Sequence, residues 1–260
     1  MEVHTHPHHS EKKNWKTHLW EFLMLFLAVF CGFTAENLRE HKVEHERATV
    51  LAKNLYKETL ADSIIVQDMM STRQIKEKEC AYFISYVKDS SLTNLNDHFY
   101  RSFSWALIQT TRILFEPNDG ILNQLRNSGE LRYFKSPEFQ SAVGKLSVSI
   151  ANARNRNNKE YSMVELYVRQ FSLKYYDFTW YNALTHNGTM QFYQALMNNE
   201  SLPMNGKIPN LDKFDRKEAE NLASYYLLML HSTRVTEYTD YATKNHEVLQ
   251  VLRTEYHLDL

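Results

Sequence analysis

The residue spacing with the clearest chemical meaning is His41-Lys-Val-Glu-His45. It matches the inverted zinc-protease motif His-x-x-Glu-His, in which two histidines one helical turn apart bind zinc and the glutamate acts as a base. Such a centre also needs a third protein ligand and a cleft around the metal. Here His41, Glu44 and His45 lie in a glutamate-rich segment just after an apolar run. This setting favours a solvated charged helix, so we predict no catalytic residues, metal or cofactor and keep a zinc-dependent hydrolase as an alternative.

The apolar run that precedes the motif spans residues 22–35. As a helix it would be about 21 Å long, whereas a bilayer core requires roughly 20 residues. Leu19 and Trp20 lengthen the run at its N-terminal end, and Glu21 and Glu36 bracket it. We therefore predict a single membrane anchor over residues 15–37. The side chains expected to contact lipid are Trp20, Phe22, Leu25, Phe26, Val29, Phe30 and Phe33.

Two other interpretations of the apolar run are a cleaved signal peptide and a buried helix of a soluble protein. A signal peptide needs small residues before the cleavage site, and Phe33-Thr-Ala35 places a large ring there. The length of the run does permit a buried helix. The flanking positive charge is nearly balanced, so the short N-terminal segment is the main reason to expect the N-terminus inside and the large domain outside.

Residues 38–72 are predicted to form a charged stalk helix that continues from the anchor and packs on the following domain. Acidic and basic residues alternate at helical spacing, and no glycine or proline interrupts the segment. Apolar residues such as Leu51, Leu55 and Ile64 recur near helical spacing. That stripe would be buried against the domain or against a sister chain, so a homo-oligomer through the stalk is a possible arrangement.

Composition limits what the rest of the chain can be. The net charge is −1, which gives no general basic field for nucleic acid, and no nucleic-acid partner is expected. Six glycines and five prolines in 260 residues are few and fit long helices better than a turn-rich sandwich. Cys31 lies in the apolar run and Cys80 lies far outside it, so no disulfide is expected. The predicted fold class is all-α, with a multi-helix bundle over residues 73–260.

The bundle helices are predicted from their caps and apolar spacing. The segments are 73–87, 98–114, a short helix at 121–125, a long helix from Ser136 to about Leu184 that the polar stretch 152–158 could interrupt, and a last helix from Asp215 to about Tyr256. Gly129 is expected to end the short helix in a left-handed conformation. The histidine-rich residues 1–14 are predicted to be a disordered tail.

An aromatic stripe occupies the second half of the long predicted helix, and its members are Tyr161, Tyr167, Phe171, Tyr175, Tyr176, Phe178, Trp180 and Tyr181. At helical spacing such a stripe usually forms core. It could instead line a ligand pocket between helices, which gives a membrane-bound sensor as an alternative function.

The segment from Ile121 to Phe139 resembles a family of single-span membrane proteins of Bacteroidota with no assigned function. The likeness rests on Glu21, on Ala35-Glu-Asn37, and on the hairpin pattern Leu-x-x-Ser-Gly-x-Leu. That pattern is formed here by Leu125, Ser128, Gly129 and Leu131. The apolar run is shorter than is typical of the family, and the histidine-rich tail is an addition. The resemblance implies a bacterial inner-membrane anchor and a helical domain, and it implies no catalytic residues.

These patterns together predict a membrane-anchored, non-enzymatic helical protein with a structural or interaction role. Its expected partners are the lipid bilayer and a protein of unknown identity, with a second copy of the chain, joined through the stalk helix, as an alternative. The N-terminus is expected in the cytoplasm and the helical domain in the periplasm.

Overall fold

The structure is a computed structural model that describes residues 15–186, 188–198, 200 and 206–258. Within these residues the chain is helical and contains no β-strand, which confirms the predicted all-α class. The predicted tail over residues 1–14 lies outside the described residues. Cys31 and Cys80 are both free, as expected. The chain divides into a first compact unit that ends at Val50 and a second that begins at Leu51.

Helix α1 runs from Trp15 to Asp89 and contributes to both units. The sequence suggested two segments here, with a break near residues 70–73, and this prediction was wrong. Ser71 donates a hydrogen bond to the carbonyl oxygen of Gln67, four residues earlier at 3.0 Å, so its hydroxyl does not cap a new helix. With no glycine or proline nearby, the backbone continues unbroken.

In the first unit, the apolar side chains of α1 over residues 15–40 are exposed. By length and composition this helix could span a membrane, and none of its most apolar 18-residue window is buried. The predicted lipid-contacting residues are all among the exposed ones, namely Trp20, Phe22, Leu25, Phe26, Val29, Phe30 and Phe33. A band of large apolar side chains exposed in this way is unfavourable in water and favourable in hydrocarbon.

The second unit continues α1 with a series of shorter helices. They are α2 (Asp97–Phe103), α3 (Gly120–Asn127), α4 (Pro137–Met163), α5 (Arg169–Tyr175), α6 (Phe178–Leu184), α7 (Thr189–Met197), α8 (Arg216–Ser232) and α9 (Thr239–Tyr256). Three π-helical turns, with the wider i to i+5 hydrogen-bond pattern, extend or join them. We name them π1 (Ser104–Ile108), π2 (Val164–Val168) and π3 (Thr233–Tyr238). Short 3₁₀ turns occur at Glu130–Tyr133 and Leu211–Lys213.

The hairpin between α3 and α4 has the predicted local structure. Gly129 follows α3 with φ of 74°, the left-handed conformation that an L side chain adopts only at a cost. The Ser136 hydroxyl accepts a hydrogen bond from the backbone N–H of Phe139 at 3.1 Å, and Pro137 begins α4. In the hairpin motif Leu125 is buried, while the Ser128 hydroxyl donates to the Gln124 carbonyl at 2.7 Å.

The long helix predicted from Ser136 to Leu184 is divided differently. The polar stretch 152–158 does not interrupt α4, because its side chains have tertiary partners: Asn157, for example, donates to the carbonyl of Phe115 at 2.7 Å. The helical path widens at π2 and ends at Tyr175. Asp177 then caps α6 by accepting from the N–H of Trp180 at 3.0 Å, a cap that the sequence analysis missed.

Two further helix predictions differ in their details. The helix predicted over residues 98–114 ends at Ile108, after π1. The last predicted helix does begin after an Asp215 cap, which accepts from the N–H groups of Lys217 and Glu218, but it contains π3 in its middle.

Two of the open glycine sites in the second unit, Gly129 and Gly144, predict stability changes of opposite sign. Gly129→Ala should lower the free energy of unfolding by about 1 kcal/mol, because alanine must adopt a positive φ. Gly144→Ala, inside α4, should raise it by roughly 0.5–1 kcal/mol, because alanine is the better helix former. An added Cβ meets no atom within 4 Å at either position, so steric crowding does not confuse the comparison.

Thermal and denaturant unfolding of the full chain in detergent, followed by circular dichroism, measures both changes. A stabilising Gly129→Ala substitution would contradict the helix-ending role of this residue.

Candidate functional site

The predicted zinc motif lies on α1 in the first unit. His41 Nδ1 is 3.6 Å from Glu44 Oε2, and the histidine is largely exposed to solvent. Among the described residues, no group of three or more His, Cys, Asp or Glu side chains could hold a metal ion. In the part of the chain that the structure describes, His41, Glu44 and His45 therefore do not belong to a group of side chains that could hold a metal ion.

The aromatic stripe is divided between core and surface. Phe171, Tyr175, Tyr176 and Trp180 are buried in the hydrophobic core of the second unit, whereas Tyr161 and Tyr167 are more than half exposed. Phe178 and Tyr181 are partly buried against the same core. The stripe mainly packs helices together, in agreement with the more usual role of such spacing.

The sequence analysis missed a buried ionic cluster in the second unit. Arg73 and Lys76 on α1 both have 0% relative exposure, and Glu160 on α4 has 1%. Arg73 and Glu160 form a two-pronged ion pair, with Nη1–Oε1 at 3.1 Å and Nη2–Oε2 at 2.8 Å. The Thr233 hydroxyl donates a further hydrogen bond to Glu160.

The remaining donors of Arg73 reach other segments of the second unit. Its Nε donates to the Ile113 carbonyl at 3.0 Å, and Nη1 donates to the Leu230 carbonyl at 3.3 Å. Nη2 also contacts the Tyr238 hydroxyl at 3.3 Å, and that hydroxyl donates in turn to Asn157 Oδ1 at 2.9 Å. One guanidinium thus joins α1, α4, α8, π3 and the segment after π1.

Lys76 forms hydrogen bonds with backbone carbonyl groups at the C-terminal end of π1. Its ammonium donates to the carbonyls of Trp105, Ala106 at 3.1 Å and Gln109 at 2.9 Å. The Nζ atom also lies 5.0 Å from the centroid of the Tyr226 ring, a cation–π contact. Burial lowers the pKa of Lys76 to about 7. The carbonyl oxygens favour the ammonium form, but removal from water opposes it more strongly.

A feature of the sequence could have identified this cluster. The buried stripe of α1 contains Val66, Cys80 and Phe83, and Arg73 and Lys76 fall on the same helical face. Basic residues within an apolar stripe must be paired or hydrogen-bonded when the stripe is buried. The position of their acceptors, in contrast, required the tertiary structure.

Three cavities on the described surface are lined by residues of the second unit, and none of these three is lined by the ionic cluster. One of them, of about 610 Å³, is a half-open groove between α8 and the π2–α5 segment. The others, of about 520 and 330 Å³, lie between α1 and α9 and beside π1 and π2. The groove is lined by Met163, Leu166, Tyr167, Gln170, Phe171, Lys174, Glu218, Asn221, Leu222 and Tyr225.

Burial also determines the chemistry of Cys80 and Tyr226, two buried residues near Lys76. Burial raises the pKa of the Cys80 thiol to about 12 and that of Tyr226 well above its usual value, so neither provides an anionic nucleophile near neutral pH. The cluster is therefore suited to holding helices in place, and the groove is the part of this unit suited to binding.

Comparison of the chain with protein-family models, with curated proteins and with solved structures gave no match.

Neutralising the buried carboxylate should be far more costly than neutralising an exposed one. Glu160→Gln should lower the free energy of unfolding by about 3–5 kcal/mol, because it leaves the Arg73 charge buried and unpaired. Glu165→Gln is the matched control, since Glu165 pairs with Arg169 at 2.6 Å on the surface. We expect that change to cost under about 1 kcal/mol. Equal effects in denaturant unfolding would contradict the central role of the buried pair.

Lys76 should make the stability rise with pH above neutrality. The pKa of a lysine in the unfolded chain is about 10.4, so above pH 7 the unfolded chain binds more protons than the folded one. The free energy of unfolding should then increase by about 1.4 kcal/mol per pH unit between pH 7.5 and 8.5. Lys76→Met should remove this contribution, whatever its effect on absolute stability. Parallel pH profiles for the two proteins would show that Lys76 does not titrate in this range.

Proposed function

We propose that the protein is a membrane-anchored, non-enzymatic helical module that acts by binding other proteins. The observation that carries the proposal is the exposed apolar part of α1 in the first unit. Its phenylalanine, leucine and valine side chains are exposed, and a bilayer would give them apolar surroundings. The anchor extends over residues 15–37 and continues into the charged segment 38–72.

A binding role fits the second unit better than a catalytic one. The ionisable side chains in its core, Arg73, Glu160 and Lys76, are buried and hydrogen-bonded to other protein groups, so a substrate in solvent cannot reach them. Its open apolar groove offers a surface to a partner instead. Association through the stalk segment 38–72 stays a prediction, as does the likeness to the Bacteroidota family.

The proposed location is the bacterial inner membrane, with the N-terminus in the cytoplasm and the helical domain in the periplasm. No nucleic-acid partner is proposed, since the net charge of −1 provides no basic field.

A membrane-bound sensor is the second candidate function. It is favoured by the groove of about 610 Å³, which Tyr167 and Phe171 of the aromatic stripe help to line. This volume lies within the usual range for small-molecule sites. The zinc-dependent hydrolase built on His41, Glu44 and His45 stays a prediction without a supporting observation in the described residues.

Charges placed in the apolar run should release the protein from membranes. Phe26→Arg with Val29→Arg introduces two arginines, each costing about 2.5–3.5 kcal/mol at the centre of a spanning helix. Alkaline carbonate extraction should leave the unaltered protein in the membrane pellet and release the double variant. Val148→Arg is the matched control, because Val148 is a similarly exposed apolar residue on α4 in the second unit.

Retention of the double variant in the pellet, or release of the unaltered protein by carbonate, would contradict the anchor. Protease added to spheroplasts of the same cells tests the orientation. It should digest the helical domain if that domain is periplasmic, whereas a protected domain would reverse the proposed topology.

A further inference from the structure

The cavity of about 330 Å³ beside π1 and π2 has mainly apolar walls. Its apolar lining comes from π1, π2, α5 and α6 and consists of Leu107, Ile108, Val164, Leu173 and Phe178. Leu107 and Val164 are buried, whereas Leu173 is 62% exposed, so the cavity leads from the surface towards the interior. Its volume is at the small end of the range for small-molecule sites. These walls suit a molecule with a small apolar body.

Three side chains, Thr110, Arg169 and Ser172, add polar groups to the same cavity. Of the described residues that line it, only Arg169 is charged. Arg169 and Ser172 both belong to α5 and are three residues apart, so they lie side by side on one face of the helix. Thr110 belongs to the segment that follows π1. A cation and two hydroxyl groups therefore share a cavity that is otherwise apolar.

The Ser172 hydroxyl is buried without a hydrogen-bond partner. Ser172 is 3% exposed, and its Oγ atom has no partner among the described residues. A serine inside a helix can donate to the carbonyl four residues earlier. Ser147 and Ser162 both do so at 2.9 Å, whereas Ser172 does not. An unpaired buried hydroxyl is unfavourable. Because Ser172 lines the cavity, a polar atom of a bound molecule can supply the missing hydrogen bond.

Arg169 also has hydrogen-bond donors to spare. Its Nη2 donates to Glu165 Oε1 at 2.6 Å, and within the described residues Nε and Nη1 have no partner. The Thr110 hydroxyl likewise has no partner in the described part of the chain. A guanidinium presents five donors in a planar fork that matches the geometry of a carboxylate. These unused donors call for acceptor oxygens that carry negative charge.

We propose that this cavity binds a small carboxylic acid with an apolar body. The carboxylate accepts hydrogen bonds from Arg169 and Ser172, with Thr110 as a further donor, and the apolar part lies against Ile108 and Phe178. The site shares no lining residue with the groove between α8 and the π2–α5 segment. It goes beyond the proposed protein-binding role and depends neither on that role nor on the membrane anchor.

Titration calorimetry of the full chain in detergent tests the ligand class, with 3-phenylpropionate as the probe. Saturable binding of one molecule per chain is expected. The neutral analogue 3-phenylpropionamide has nearly the same shape and should bind about tenfold or more weakly, because it cannot form a charge-assisted hydrogen bond with a guanidinium. Titration of each compound into protein-free detergent removes the contribution of partition into micelles.

Two substitutions test the position of the site. Arg169→Gln should weaken binding of 3-phenylpropionate about tenfold or more, and Ser172→Ala should weaken it about threefold to tenfold. Arg126→Gln is the matched control, because it removes an exposed arginine on α3 that does not line the cavity and should leave the affinity unchanged. Melting temperatures of all variants check that the fold is retained. Absence of saturable binding, equal binding of the amide, or undiminished binding by either cavity variant would overturn the proposal.

Discussion

The ion pair between Arg73 and Glu160 is the interaction on which the second unit depends. A guanidinium removed from water requires acceptors in several directions, and its desolvation is repaid only when those acceptors are held in place. Glu160, two backbone carbonyls and the Tyr238 hydroxyl supply them from separate segments. The hydrogen bonds of the Arg73 side chain therefore hold α1 in place against α4, α8 and π3.

Two of the three π turns, π1 and π3, contact this cluster directly. Lys76 donates to three carbonyls at the end of π1, while Thr233, the first residue of π3, donates to Glu160. A π turn inserts an extra residue and displaces carbonyls from the regular helical ladder. Buried donors from a neighbouring helix can satisfy the displaced groups, so the cations on α1 and the irregular turns stabilise each other.

Exposed apolar surface is the other property that shapes this protein. It occurs on α1 in the first unit and along the groove of the second unit. The two surfaces differ in chemistry. The first is an uninterrupted band of aliphatic and aromatic side chains, which suits hydrocarbon. The groove mixes tyrosines with amides and one charge of each sign, which suits a protein surface in water. Binding through surfaces is consistent with a core whose ionisable groups are closed to solvent.

The sequence by itself determined the all-α class, the apolar run, and the local structure at Gly129, Ser136 and Asp215, because caps and periodicity act over a few residues. It placed a break near residues 70–73 and allowed one at 152–158, and the structure has neither. Polar side chains there looked like interruptions, but their hydrogen bonds go to the same helix or to distant segments. The partners of Arg73 lie 40 to 165 residues away in the chain. Only the tertiary structure could decide the ionic cluster, the π turns and the groove, since each depends on contacts between segments that are remote in sequence.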